Sequence, residues 1–161
     1  MTRFVVDATA VLHLASGQIP VSRVHRLLAP TLLRSQVLSS LHEGVQRGEI
    51  PAGEARDLLA RIGHLPIRHL GDAVLRRRAW EVADRLVWAS TYDAEYVALV
   101  QLQADALVTM DADLARRLEG IVPIASVEEL RSRAEVGSGV PDTAEREASP
   151  RPSPTRPDDP L

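Results

Sequence analysis

Short apolar runs alternate along the chain with longer stretches whose apolar residues recur every three to four positions. This alternation predicts strands threaded between helices, as in a parallel sheet with crossover helices. Phe4-Val5-Val6 reads as a buried strand, followed by a helix through Leu14. A second helix is expected over 22–28, after Pro20, and a short strand over 29–32. Residues 35–47 carry Val37, Leu38, Leu41 and Val45 at helical period and stop at Gly48; Pro51 then opens a helix over 51–62. After a strand at 67–70, the longest helix is predicted over 72–89, with Leu75, Ala79, Val82 and Leu86 on one face. The next, from Ser90-Thr91 to Gln103, is apolar on most sides and is therefore expected to be central. A strand over 107–109, a helix over 112–118, a strand over 121–124 and a short closing helix capped by Ser126 complete the pattern.

Beyond residue 133 the pattern stops. Residues 134–161 are rich in Pro, Ser and Asp with few apolar side chains, so they are expected to form a disordered tail to a single domain over 1–133. The length of 161 residues, 45% of them hydrophobic, suits one core. No apolar run approaches the roughly 20 residues of a membrane helix. The N-terminal apolar stretch meets Asp7 too soon for a secretory signal. The absence of cysteine excludes disulfides, thiolate zinc sites and cysteine nucleophiles, and a cytoplasmic location is expected. A net charge of −3 means that any contact with nucleic acid must be local. All 19 basic residues are arginine, which compositional bias explains most simply, although arginine also suits bidentate phosphate contacts.

The candidate chemistry lies in carboxylates. Asp7 follows the first strand and Asp111 follows Leu107-Val108-Thr109-Met110, while Asp93 lies in Ser90-Thr91-Tyr92-Asp93. Taken singly, each is explained by helix capping, since a side-chain oxygen there accepts the free N–H groups of the first turn. Taken together they carry more. Strand-to-helix junctions of a parallel sheet open onto one edge, where ligands bind. Three carboxylates converging there repel one another unless a cation joins them, and oxygen ligands without Cys or His suit Mg²⁺ or Mn²⁺.

The segments Val5-Val6-Asp7-Ala8-Thr9-Ala10, Thr91-Tyr92-Asp93-Ala94-Glu95-Tyr96-Val97-Ala98-Leu99 and Leu107-Val108-Thr109-Met110-Asp111 resemble the three acidic motifs of PIN domains, in family order and spacing. The stretch from Ala29 to Leu38 is similar to the family's second motif, and the match covers residues 1–131. The resemblance implies an α/β, Rossmann-like three-layer fold, a central parallel sheet flanked by helices. It further implies an RNA-cleaving toxin of the VapC type, active with Mg²⁺ or Mn²⁺, forming a homodimer and inhibited by a cognate antitoxin. Asp7, Asp93 and Asp111 would be the catalytic metal ligands, with Thr9 and Thr109 orienting them. One position departs from the pattern: Gln36 stands where the second motif usually carries glutamate. Its amide oxygen can coordinate a hard cation, but one charge is lost and metal affinity is expected to fall. Asp113 is a candidate to compensate. Glu43, roughly 10 Å further along the same helix, is too distant to replace Gln36 and reads as a rim residue.

Val21, Val24 and Leu28 are expected to line an apolar groove for the antitoxin. Arg34 is a candidate for backbone contact, and Arg76-Arg77-Arg78 reads as the wet face of a helix or an RNA path. The five histidines show no metal-ligand spacing, and Trp80 and Trp88 suit packing better than base stacking. The competing reading is a catalytically weak PIN fold that binds RNA or a protein partner without cutting. A phosphate-accepting α/β domain also places an Asp at a strand end, but the second acid such sites need close by is missing from around Asp7.

Overall fold

The computed structural model describes residues 1–131. Five parallel strands form one sheet in the order β3-β2-β1-β4-β5: β1 (Arg3–Val6), β2 (Arg26–Pro30), β3 (Ile67–Leu70), β4 (Ala106–Val108) and β5 (Ile124–Ala125). The α/β class is as the apolar pattern predicts. Because successive strand side chains point to opposite faces, Phe4 and Val6 enter one layer and Val5 the other. The first layer holds α1 (Ala8–Ser16), α2 (Leu32–Gln46) and α3 (Ala52–Gly63); the second holds α4 (Ala73–Leu86), α5 (Tyr92–Gln103) and α6 (Ala112–Arg117). As predicted, α5 is buried on most sides, from Tyr96 through Val100.

The chain therefore winds outward from β1 through β2 to β3 on one side, then returns beside β1 as β4. The reversal leaves a crevice at the carboxyl ends of β1 and β4, the place where ligands bind in open parallel sheets. Two of the three candidate carboxylates, Asp7 and Asp111, lie just beyond those two ends.

The largest departure from the sequence pattern is at 22–28. No helix forms there; a turn leads into β2, whose Leu27, Leu28 and Ala29 are buried between both helical layers. Pairing with β1 and β3 outweighs the local helical period, a long-range effect that propensity does not carry. The strand expected at 29–32 is accordingly shifted to Arg26–Pro30, and α2 begins earlier, at Leu32. The expected groove dissolves with that helix. Val21 is partly buried and bridges to Arg131, Val24 is 63% exposed, and Leu28 is 5% exposed inside the α4–α5 layer. The three share no face. The helix predicted over 72–89 stops at Leu86, where Val87 turns left-handed with φ 55°. The last strand lies at Ile124–Ala125, beyond Pro123. The expected tail falls outside the described residues. Among those residues, no helix is long and apolar enough to cross a membrane.

Candidate active site

Asp7 caps α1. Its backbone is extended and its Oδ1 accepts the Ala10 N–H at 2.9 Å, so the capping role read from sequence is present. Capping alone does not require burial, however, and Asp7 is only 6% exposed, the one buried polar or charged residue among those described. Oδ1 also accepts the Thr9 hydroxyl at 2.7 Å, and Oδ2 accepts the Thr109 hydroxyl at 2.5 Å. Both hydroxyl protons are thus directed at Asp7, and the 3.3 Å contact between the two threonine oxygens has no proton to share. Thr9 Oγ1 in turn accepts from Met110 N at 2.8 Å, and Thr109 Oγ1 from Asp111 N at 3.0 Å. The ends of β1 and β4 are laced together through these side chains.

A carboxylate offers about four lone-pair positions, and the protein fills three of those on Asp7. Burial pushes the Asp7 carboxyl above its ordinary range; the bonds from Thr109, Ala10 and Thr9 pull it back, and the negative charge of Asp111 adds to the upward push. The hydrogen bonds do not cancel the cost of burial. A cation at the open position would supply what they lack.

Asp111 caps α6, its Oδ1 accepting from Asp113 N at 2.9 Å and Leu114 N at 3.0 Å. Asp93 stands in the first turn of α5 but does not cap it, because the cap residue is Thr91. Its Oδ2 instead pairs with Arg117 at 2.7 Å, and that guanidinium also lies 5.5 Å over the Trp88 ring. One turn further along α5, the hydroxyl of buried Tyr96 donates to Gln36 Oε1 at 2.5 Å. Burial, and then the charges of Asp7, Glu95 and Asp93, push the Tyr96 phenol far up, which keeps it a donor. Burial also raises Glu95, with Arg76 opposing.

The structure thus joins Asp7, Thr9, Thr109 and Asp111 in one hydrogen-bonded network, and bonds Gln36 to Tyr96, which stands about one turn along α5 from Asp93. Among the described residues no three acidic or imidazole groups are placed so that together they could hold a metal ion, and the Asp93 carboxylate faces Arg117. Asp113 is 78% exposed and paired with Arg116, an orientation that gives no support to its compensating for Gln36. Arg34 lines a cleft with His69 between α2, α3 and β3, and its charge helps lower the His69 pKa after burial. Tyr96 and Arg117 are additions that sequence reasoning missed. Tyr96 had a signal, a polar tip three residues after Asp93 and next to the apolar run Val97-Ala98-Leu99-Val100; Arg117 had none beyond ordinary basic residues at a helix end.

No family model matches the chain. It is 35% identical over 126 residues to the VapC ribonuclease Mb0985 of Mycobacterium bovis and, to the same extent, to ribonuclease VapC9 of Mycobacterium tuberculosis; each alignment covers 76% of this chain and 97% of the relative. Among solved structures, PAE2754 from Pyrobaculum aerophilum, a PIN-domain protein, superposes with a TM-score of 0.61 at 25% identity, over 80% of this chain and 92% of that one. With near full-length similarity to the curated relatives and the same parallel fold, the chain belongs to the VapC family and carries a PIN-type domain.

Proposed function

We propose that the chain is a metal-dependent endoribonuclease, the toxin of a toxin–antitoxin pair held in check by a protein antitoxin. The observation that carries the reading is Asp7: a buried carboxylate with one position open, at the crevice between β1 and β4 and within the field of Asp111. The ribonuclease names of the relatives support the reaction class. The donor set is all oxygen, which suits Mg²⁺ or Mn²⁺. Asp7, Asp111 and Asp93 would hold the ion, which when bound supplies Lewis acidity for phosphodiester hydrolysis.

The chain's own residues prepare the rest. Thr9 and Thr109 fix the rotamer of Asp7, so little reorganisation remains when a ligand arrives. The N–H groups of Asp113 and Leu114 hold Asp111 by Oδ1 and leave Oδ2 available. Asp93 must exchange Arg117 for the cation. That exchange is cheap, since a partly exposed ion pair contributes only about 0.2–1 kcal/mol. Arg117 is then free to meet a backbone phosphate.

Incubation with single-stranded RNA tests the proposal. Cleavage is expected with Mg²⁺ or Mn²⁺, absent in EDTA and restored by excess metal; equal cleavage in EDTA would remove the metal from the mechanism. Gln36 keeps a second reading in play, a domain that binds RNA without cutting it, and RNA binding without cleavage under any metal favours that reading. Arg117→Gln is expected to change thermal stability by less than about 1 kcal/mol while tightening Mn²⁺ binding through the freed Asp93. Weaker Mn²⁺ binding in this variant would show that Asp93 needs its partner.

A further inference from the structure

An amide side chain has a donor end and an acceptor end, and its partners decide which way it faces. Tyr96 is buried, and among the described residues the one hydrogen bond of its hydroxyl goes to Gln36 Oε1, at 2.5 Å. Were the amide turned over, its NH₂ would meet the phenol oxygen and the phenol proton would be left buried without an acceptor, the costly case for any polar group. The Oε1 end of Gln36 therefore faces Tyr96. Its NH₂ end donates to nothing among the described residues. Gln36 stands just inside α2, which follows β2 at the same sheet edge as Asp7, and the phenol that anchors it lies three residues after Asp93 on α5, so the free donor end lies at the acidic edge.

Two ligands could use such a side chain. A cation needs oxygen lone pairs, and of the two on Oε1 one is already given to the phenol proton, which leaves a neutral and weakened ligand. A phosphate oxygen needs a donor, and the free NH₂ supplies two N–H groups. A carboxylate at this position would add a charge that holds metal and repels phosphate; the amide adds no charge and brings a donor.

Resting on the nuclease reading above, we propose that Gln36 is a hydrogen-bond donor to the substrate's phosphate and not a metal ligand, with Tyr96 as the positioning residue that fixes its orientation.

Mn²⁺ binding by calorimetry without RNA, together with kcat and KM for an RNA substrate, tests this on the full chain. Gln36→Ala is expected to bind Mn²⁺ within about twofold of the natural protein while KM rises about tenfold, as for loss of one hydrogen bond to a charged group. Gln36→Glu should bind Mn²⁺ more tightly and RNA more weakly. Tyr96→Phe, which keeps the packing, should leave Mn²⁺ affinity unchanged and raise KM by a smaller factor, because the amide is then free to turn. A tenfold loss of Mn²⁺ affinity in Gln36→Ala, or an unchanged KM, overturns the proposal. Asp7→Asn separates the two layers of inference. If it leaves Mn²⁺ binding intact, the metal site itself is misplaced; if it abolishes binding and Gln36→Ala does so too, only the role given to Gln36 is lost.

Discussion

Asp7→Asn is expected to lower metal-dependent RNA cleavage by more than about a hundredfold, since changes to groups that merely support a metal ligand already cost about 10–100-fold. The same substitution should raise the melting temperature of the metal-free protein by a few degrees. Burial holds the Asp7 carboxyl above its ordinary value of 3.8. A folded-state pKa above the unfolded one means that the folded protein binds the proton more tightly, so ionised Asp7 opposes folding. That opposition is fully present above the raised pKa, fades as pH falls through it, and is gone below the unfolded value. Asparagine keeps the cap on α1 and removes the charge. The gain in stability should therefore be largest at neutral pH in EDTA and shrink towards pH 4. Saturating Mn²⁺ should reverse the order, because a ligand at a hundred times its Kd stabilises the protein that binds it by about 2.7 kcal/mol. An Asn variant that melts below the natural protein in EDTA at pH 7 would show that the hydrogen bonds of Thr9 and Thr109 outweigh the cost of burial.

Leu28→Ala is expected to cost about 3 kcal/mol, roughly 10 °C in Tm, as for other buried leucines truncated in close-packed cores. Leu28 lies on β2 beneath α4 and α5, in the same layer as Val5 and Leu107. Val24→Ala, four residues earlier and 63% exposed, should change stability by less than about 0.5 kcal/mol. Urea titration of the two variants checks this. A helical stripe over 22–28, as the sequence pattern suggests, would instead place the two side chains on one groove and make their effects similar.

The reason this segment misleads is physical. Val21, Val24 and Leu28 recur at helical spacing, but a strand buried on both faces has no polar alternation to announce it, and short apolar runs fit either element. What selects β2 is its neighbours, β1 and β3, which lie far away in sequence. By contrast, α4 declares itself locally: Leu75, Ala79 and Val82 are all buried on the predicted face, and Asp72 caps the helix by accepting from Leu75 N at 2.8 Å.

The sequence by itself determined the parallel α/β class, the order of most elements and the positions of Asp7 and Asp111 at strand-to-helix junctions, because these depend on local periodicity and on the handedness common to all such sheets. Only the tertiary structure decided that Asp7 is buried and shared between Thr9 and Thr109, that Asp93 faces Arg117, and that Gln36 offers its acceptor end to Tyr96. Apart from the Thr9 bond, which spans two positions, the contacts named join residues 24, 60 and 102 positions apart. The burial, charge and hydrogen bonding that set a side chain's chemistry come from such neighbours, and no local pattern encodes them.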